Sequence, residues 1–305
     1  MSVKDRLLAL CVVILWGVNF VMIKVGLQDM PPFLLAGLRF SLVALPAIFF
    51  VPAPCVPFRW LLAYGMTISF GQFAFLFCAI KLGMPAGIAS LVLQAQAFFT
   101  LLIGAVLLSE KLKWNHITGM LVAALGVVVL AEGRLAAQTA SGMTLTTLLL
   151  TLAGALSWAF GNISNKTIMT QNGNVKIMSL VVWSALIPIL PFFACSWLFE
   201  GEAVILSSLA NIQLPTILSL FYLAFAATIV GYGIWGNLLA RYETWRVAPL
   251  SLLVPVTGLI SAAVFLDESL SALQVVGALM IMLGLLINVF GARLRSLRLL
   301  HRRAG

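Results

Sequence analysis

The sequence predicts an all-α membrane protein with ten transmembrane helices, arranged as two inverted five-helix repeats with both termini in the cytoplasm. Three observations predict this fold: the composition, ten apolar runs and an internal repeat. Hydrophobic residues make up 62% of the 305 residues and charged residues only 9%, whereas soluble domains are roughly 45–50% apolar and about 25% charged. Because one soluble core could not bury so much apolar surface, we expect the chain to be dissolved in lipid.

The apolar runs define the individual helices. Each run is near the length of about 20 residues that a helix needs to cross the bilayer core. Each is apolar on all sides, whereas the strands of a membrane barrel alternate over about ten residues. The predicted helices, bounded by Pro, Gly or charged residues, span 7–26, 33–51, 60–80, 86–108, 115–131, 147–168, 177–198, 216–239, 247–266 and 273–291.

The first run requires separate justification because Lys4 and Arg6 precede it, as basic residues do in a signal peptide. Trp16, Gly17 and Asn19 interrupt the run, and no small-residue cleavage site follows it. We therefore predict that residues 7–26 are retained as the first membrane helix.

The distribution of Lys and Arg predicts the orientation of the chain. If the N-terminus lies in the cytoplasm, the inner segments carry fourteen of these residues and the outer loops carry two, Lys81 and Arg134. Basic residues concentrate on the cytoplasmic side of membrane proteins. Both termini are therefore predicted to be cytoplasmic, which requires an even number of spans, and residues 294–305 form a basic cytoplasmic tail.

The second half of the chain repeats features of the first. Residues 15–24 resemble residues 157–166 at an offset of 142, and residues 109–112 match residues 267–270 at an offset of 158. At that second offset two glycine pairs also coincide, Gly119 with Gly277 and Gly126 with Gly284.

This repeat predicts two domains, residues 1–135 and residues 145–293, each with five spans. Because five is odd, the second domain is predicted to be inverted in the membrane. Inverted repeats that rock against each other around a central site are a recurring transporter design. The paired glycines are expected to let helices pack closely, and a homodimer interface is their lower-ranked alternative role.

Charge and motifs exclude several classes of function. The net charge of +9 is expected to contact membrane lipids rather than nucleic acid, since the basic residues adjoin apolar runs. The four cysteines lack metal-ligand spacing, and the sequence lacks a P-loop, a GxSxG elbow and an HExxH helix. We therefore expect no cofactor, no metal, no ATP-driven pump within this chain and no enzymatic activity.

Polar and aromatic residues recur at helical spacing inside the spans. Trp158, Asn162 and Asn165 follow i, i+4, i+7 and so share one face of the sixth helix. Thr228, Tyr232 and Trp235 repeat that spacing on the eighth. The candidate substrate-binding residues are Trp16, Asn19, Arg39, Ser69, Gln72, Ser90, Gln94, Trp158, Asn162, Asn165, Thr228, Tyr232 and Trp235.

Two interpretations of these residues remain open. Buried amides and hydroxyls need partners in lipid, so they form either a cavity for a small polar solute or interhelical bonds that hold the bundle together. Arg39 either extends its head group outward to the interface or offers its guanidinium to a carboxylate. Lys24 is expected to anchor the outer end of the first helix. Gln96 is predicted to point away from the face shared by Ser90 and Gln94.

The spans contain no carboxylate near mid-membrane, where proton-coupled carriers commonly keep one. This absence weakens direct proton coupling through Asp or Glu. Facilitated diffusion or exchange is therefore favoured.

At this point the sequence resembles the EamA-type drug/metabolite transporter family. The resemblance is carried by Trp16-Gly17 with Lys24, by residues 38–40, and by the Glu110 and Glu268 elements. Longer stretches resemble O-acetylserine and cysteine exporters within that family; they are residues 83–87, 94–99, 231–236 and 241–251. The resemblance implies a multi-pass protein of the bacterial inner membrane with ten helices in two inverted repeats. It also implies efflux of O-acetylserine and cysteine from the cytoplasm, and the inverted repeat predicts that this efflux occurs by alternating access.

Two alternatives to this function are retained. The first is the same fold exporting other amino acids or drug-like amines, because a fold does not fix a substrate. The second is a membrane enzyme acting on lipid-linked substrates, which would need a catalytic acid, base or metal cluster at one membrane face.

Overall fold

A computed structural model describes residues 1–136, 143–171 and 175–303, and within these ranges the secondary structure is helical, with no strand. Nine described helices are long and apolar enough to cross a membrane. In chain order these nine helices and the shorter α2 are α1 (Val3–Asp29), α2 (Pro32–Ala47), α3 (Phe58–Lys81), α4 (Ala86–Leu107), α5 (Trp114–Ala136), α6 (Leu145–Gln171), α7 (Ile177–Glu200), α8 (Leu214–Arg241), α9 (Ala248–Leu266) and α10 (Ala272–Arg303). Two further short helices, Glu202–Ala210 and Thr244–Val247, lie in the connections before and after α8. The prediction of an all-helical membrane protein is thereby confirmed.

The second predicted span is shorter than expected. Residues 33–51 were predicted, but α2 covers Pro32–Ala47, and turns and bends follow it. Pro46 lies in its last turn, and further prolines follow at 52, 54 and 57. Since proline lacks the amide N–H and its ring clashes with the preceding turn, the helix ends here. In contrast, α1 begins earlier than predicted because the Ser2 hydroxyl accepts a hydrogen bond from the Asp5 amide.

Five helices change their winding partway along. π-helical segments occur at Gly65–Gly71 in α3, Ser196–Glu200 in α7 and Tyr222–Val230 in α8. Short 3₁₀ segments occur at Leu93–Ala95 in α4 and Ala248–Leu253 in α9. Such segments rotate the side chains that follow them to a different face, and π segments are frequent at functional sites.

Helices α5 and α10 pack backbone to backbone through four buried glycines. A Cβ atom built on Gly119 would lie 2.5 Å from the carbonyl oxygen of Gly284, and one on Gly126 would lie 2.8 Å from that of Gly277. The prediction that these glycines allow close packing is confirmed. Because all four are used within one chain, a homodimer would need another surface of these helices.

Two loops with matching sequence have the same backbone conformation. Ser109 and Asp267 have φ angles of 54° and 53°. The next residue in each loop, Glu110 or Glu268, donates its amide to a carbonyl six residues earlier, at 3.3 Å in both cases. This bond, together with the left-handed residue before it, closes the end of each preceding helix. The residues of the predicted tail, 294–305, are described as helical backbone as far as 303; residues 304 and 305 lie outside the described residues.

Candidate functional site

A small cavity lies inside the bundle between α2, α3, α7 and α8. Its volume is about 30 Å³, and its polar lining includes Arg39, Tyr64, Ser69, Ser184, Thr228 and Tyr232. Four of these are predicted site residues: Arg39, Ser69, Thr228 and Tyr232. Ser69 and Thr228 lie in π segments, and Ser184 ends the first helical part of α7. Irregular winding in three helices therefore coincides with the cavity wall.

Arg39 is the charged residue of this cavity. Its side chain is buried, with only 4% of the residue exposed, so it does not extend to the membrane surface as one interpretation of the sequence allowed. The guanidinium carbon lies 4.1 Å from the centre of the Phe73 ring and 5.5 Å from that of Phe40. Aromatic faces attract cations, most strongly when water is excluded. The two rings therefore partly compensate for the lost hydration of the guanidinium.

The hydrogen bonds of Arg39 are incomplete. Its Nη2 donates to the Thr228 hydroxyl at 3.3 Å. Nε and Nη1 are buried and have no hydrogen-bond partner within the described part of the chain. Buried polar groups are normally satisfied, and a charged group left unpaired is especially costly. Two cationic donors beside a cavity are therefore well placed to bind an anionic group.

The π segment of α8 orients Thr228 for this contact. The Thr228 hydroxyl donates to the Leu223 carbonyl at 2.8 Å, five residues earlier, and accepts from Arg39. Five-residue spacing is that of a π-helix rather than an α-helix. The winding of α8 thus fixes the direction of the hydroxyl that holds Arg39.

An aromatic cluster adjoins the cavity through Tyr232. The Trp16 ring centre lies 5.2 Å from both the Tyr232 and Trp235 ring centres. Trp16 Nε1 donates to the Ala227 carbonyl at 2.9 Å, which ties α1 to α8. A Cβ atom built on Gly231 would lie 2.7 Å from Trp16 Nε1, so glycine makes room for the indole. The predicted residues Trp16, Tyr232 and Trp235 are thereby brought together. Tyr232 belongs both to this aromatic cluster and to the cavity wall.

Asn162 lies in a separate polar cluster between α4 and α6. Its Nδ2 donates to Gln96 Oε1 at 2.7 Å and to Thr100 Oγ1 at 3.1 Å. These contacts are the interhelical bonds that one interpretation of the sequence described. Gln96, predicted to point away from the Ser90 and Gln94 face, is the acceptor.

The other predicted residues do not line the Arg39 cavity. Ser90 donates to its own helix at the Gly87 carbonyl, 2.7 Å away. The side-chain oxygens Oδ1 of Asn19 and Asn165 are buried and have no hydrogen-bond partner among the described residues. The remaining three are Gln72, which is buried, and Gln94 and Trp158, which are half-buried.

Sequence reasoning missed Tyr64, Phe73 and Ser184. All three lie in apolar runs, where an aromatic residue that faces lipid has the same local signature as one that faces a cavity. The signal available for Phe73 was the charge of Arg39, since a buried cation requires an anion or an aromatic face nearby.

A larger groove of about 340 Å³ lies between α1 and α8. Val230 and Asn237 line it and are exposed, and Arg241 lies at one end. None of the predicted site residues lines this groove. We therefore place the candidate site at the smaller cavity, where the buried charge is.

Three ion pairs among the described residues join the halves of the chain, and one of them, between Asp5 Oδ1 and Arg241 Nη2 at 2.9 Å, links α1 to α8. Lys24 Nζ lies 2.7 Å from Glu268 Oε1, so Lys24 is not merely the interfacial anchor that the sequence predicted. Glu268 also accepts the backbone amides of Ala86 at 2.8 Å and Gly87 at 3.0 Å. The remaining pair joins Lys166 to Glu110. Within the described residues, no group of three or more His, Cys, Asp or Glu side chains is arranged to hold a metal.

Comparison with known proteins provides a family and relatives. The model of the EamA-like transporter family matches residues 6–131 and 145–290. A protein of Escherichia coli K12 named a probable amino-acid metabolite efflux pump is 62% identical over 296 residues, covering 97% of this chain and 98% of that protein. A protein of Salmonella typhimurium LT2 with the same name is 64% identical over 295 residues, with the same coverage.

More distant matches share the fold or part of the chain. A probable terminal-alkyne amino-acid exporter of Streptantibioticus cattleyicolor is 24% identical over 226 residues, covering 74% of this chain and 68% of that protein. A crystal structure matches with a TM-score of 0.65 and 21% identity, covering 96% of this chain and 99% of that one. The family and relatives are transporters rather than enzymes. With the apolar helices, they identify a multi-pass inner-membrane transport protein.

Proposed function

We propose that this chain, which belongs to the EamA-like transporter family, exports small amino-acid metabolites from the cytoplasm by alternating access. O-acetylserine and cysteine are the proposed substrates. The relatives named as amino-acid metabolite efflux pumps support the substrate class. The observation that carries the proposal is the buried guanidinium of Arg39, with two unpaired donors beside a cavity.

The proposed topology has ten spans in two inverted repeats, with both termini in the cytoplasm. In this topology the short helix α2 also crosses the membrane, which brings the number of spans to ten. The turns after Ala47 complete its passage across the bilayer. The matching loops at residues 109–110 and 267–268 support an internal repeat. The reciprocal glycine contacts between α5 and α10 support it as well, since each contact pairs one residue from either half.

Arg39 is the proposed site for the substrate carboxylate. Guanidinium donors bind carboxylates through short, charge-assisted hydrogen bonds. Phe73 and Thr228 hold the guanidinium in place, so that little side-chain freedom is lost when a substrate binds. This charge also disfavours the alternative cargo of drug-like amines, which carry the same sign.

The aromatic residues are the proposed contacts for the substrate ammonium. No Asp or Glu lines the cavity within the described residues, so the ammonium has no carboxylate partner there. Tyr232 lines the cavity and meets Trp16, and such ring faces attract ammonium groups by about 0.5–2 kcal/mol. We therefore expect low affinity, which suits an exporter that removes a metabolite present in excess.

The size of the cavity favours alternating access over an open channel. A cavity of about 30 Å³ has room for only two or so water molecules, since each needs about 10–15 Å³ of such space. An amino acid is several times larger, so helices must separate before it can bind. In inverted-repeat transporters, the two halves rock around a central site and produce this separation.

Counterflow in liposomes tests the proposal. Purified protein is reconstituted, and uptake of labelled cysteine and O-acetylserine against an internal pool of unlabelled substrate is measured with and without a proton gradient. Uptake that unlabelled O-acetylserine blocks and the gradient leaves unchanged is expected for an uncoupled exchanger. Folded protein that exchanges neither compound would overturn the proposed cargo. Uptake that follows the gradient would retain the cargo and overturn the uncoupled mechanism.

A further inference from the structure

The cavity around Arg39 holds a positive charge that no acidic side chain balances. In the described part of the chain, Arg39 is the charged residue of the lining, and its Nε and Nη1 are buried without a hydrogen-bond partner. The other polar lining groups are neutral hydroxyls, those of Tyr64, Ser69, Ser184, Thr228 and Tyr232. A ligand with a net negative charge therefore suits this lining better than a ligand with none.

The acidic residues of the protein are engaged elsewhere. All nine lie at or near the ends of helices or in the connections between them. Glu268, for example, pairs with Lys24, and Glu200 accepts the backbone amides of Phe33 and Leu34 at the start of α2. The movement proposed for transport pivots about the centre of the bundle, so it brings none of these carboxylates to Arg39.

The aromatic wall compensates only part of the cost of a substrate ammonium. The rings of Phe73 and Phe40 already face the guanidinium, with centres 4.1 and 5.5 Å from its carbon, which leaves Tyr232 for the substrate. Because the ammonium and carboxylate of an α-amino acid share one carbon, an ammonium on Tyr232 would lie close to the guanidinium that binds the carboxylate. Like charges repel at such a separation, most strongly where water is excluded.

We propose that the site prefers carboxylates whose nitrogen is uncharged, and that N-acylated amino acids are a substrate class of this transporter. In these compounds a neutral amide replaces the ammonium, so the repulsion from Arg39 is absent. The Ser184 hydroxyl donates to the Val181 carbonyl at 3.1 Å, and its oxygen can still accept the amide N–H. Val181 and Ala185 provide an apolar wall for the acyl group. The inference rests on the proposed function for the carboxylate position, and it extends the cargo.

Three related compounds test this preference without a transport assay. O-acetylserine and N-acetylserine are isomers, but the first is a zwitterion and the second an anion. The methyl ester of O-acetylserine keeps the ammonium and lacks the carboxylate, so it is a cation. Each is titrated against the purified full-length protein in a mildly acidic buffer, where the ammonium stays charged and the acetyl group stays on oxygen. The rise in thermal midpoint gives an apparent Kd for each compound.

The three compounds should bind in the order of their charges. N-acetylserine should have a Kd about tenfold below that of O-acetylserine, since a buried charge without a partner is costly, and the methyl ester should not bind measurably. Arg39→Gln should weaken N-acetylserine more than O-acetylserine and so narrow the ratio. Arg59→Gln changes an exposed arginine and should keep the wild-type ratio. If Arg39→Gln fails to fold, the comparison of the isomers on the wild type still decides the preference.

Failure of the inference can be distinguished from failure of the proposed function. Equal or tighter binding of O-acetylserine would overturn the preference, while counterflow of O-acetylserine would leave the proposed cargo in place. Tighter, Arg39-dependent binding of N-acetylserine with no counterflow of O-acetylserine or cysteine would support the preference and overturn that cargo.

Counterflow of labelled N-acetylserine separates a substrate from an inhibitor. Exchange faster than that of O-acetylserine at low concentration is expected. Tight binding without exchange would overturn N-acylated amino acids as a substrate class. Folded protein that binds none of the three compounds would overturn the assignment of the Arg39 cavity as the carboxylate site, and the inference with it.

Discussion

The guanidinium carbon of Arg39 lies 4.1 Å from the centre of the Phe73 ring, so a positive charge is held against an aromatic face inside a membrane bundle. The ring lies on α3 and the charge on α2, and Thr228 of α8 provides the hydrogen bond. Three helices therefore define the position of one charged group.

Replacing Arg39 should impair transport without loss of folding. Arg39→Ala removes the proposed carboxylate partner and should lower the counterflow rate at low substrate by about 10- to 100-fold, the value of a hydrogen bond to a charged group. Arg39→Lys keeps the charge but loses the planar donors, so its counterflow rate should lie between those of Arg39→Ala and the wild type. Arg59→Ala changes an exposed arginine, and its counterflow rate should stay near that of the wild type. Normal counterflow in Arg39→Ala would remove Arg39 from the site.

Phe73→Leu should weaken transport because the guanidinium loses its aromatic partner. The expected loss in counterflow at low substrate is about 3- to 30-fold, from a contribution of roughly 0.5–2 kcal/mol. Phe75→Leu is the matched control, since Phe75 is two residues along the same helix and 40% exposed. Equal effects of the two substitutions would show that the ring acts through general packing.

Gly231→Ala should disturb the aromatic cluster. Its new Cβ atom would lie 2.7 Å from Trp16 Nε1, so the indole must move and its bond to the Ala227 carbonyl weakens. We expect a shift in tryptophan fluorescence and slower counterflow. Gly236→Ala meets only ordinary contacts, at 3.4 Å or more, and should leave both unchanged. A fluorescence spectrum unaltered in Gly231→Ala would contradict this account.

Asn162→Ala should reduce stability more than transport. The substitution removes bonds to Gln96 and Thr100, and hydrogen bonds between membrane helices contribute about 0.6 kcal/mol on average. A lower thermal midpoint in detergent is expected, with an unchanged substrate concentration at half-maximal counterflow. Gln94→Ala, two residues from Gln96 on the same helix, is the control for both the thermal midpoint and the half-maximal substrate concentration. A raised half-maximal concentration in Asn162→Ala alone would instead return Asn162 to the substrate site.

Gly119→Ala should destabilise the bundle. Its Cβ atom would lie 2.5 Å from the Gly284 carbonyl oxygen, and since backbone atoms cannot rotate away, the helices must separate. Overpacking of this kind costs about 1–3 kcal/mol, which thermal unfolding in detergent can measure. Gly236→Ala is again the control. A midpoint equal to wild type would mean that α5 and α10 separate at no cost.

The helices were predictable because lipid leaves the backbone few options. A segment in hydrocarbon must satisfy its own hydrogen bonds, so long apolar runs become helices. The helix α2 ended four residues before its predicted end, close to its prolines. The loops at Glu110 and Glu268 were also visible in sequence, since a short local match had the same local conformation.

The site was only partly predictable because winding changes within helices. Regular spacing placed Gln96 away from the face of Ser90 and Gln94, and in the structure Gln96 contacts Asn162 whereas Ser90 bonds within its own helix, with the 3₁₀ segment Leu93–Ala95 between the two residues. The π segment of α8 likewise sets the direction of Thr228. A constant period of 3.6 residues cannot predict which side chains share a face beyond such a segment. In addition, the cavity combines side chains from four helices that are distant in sequence.

The glycine contacts between α5 and α10 have a mechanical consequence. Where side chains separate two helices, the helices can slide or roll by changing rotamers, but backbone atoms in direct contact leave no such freedom. One of these helices comes from each predicted repeat, so a rigid contact between α5 and α10 joins the two halves. The halves therefore cannot part along this line, and any opening of the bundle must be a rotation about it.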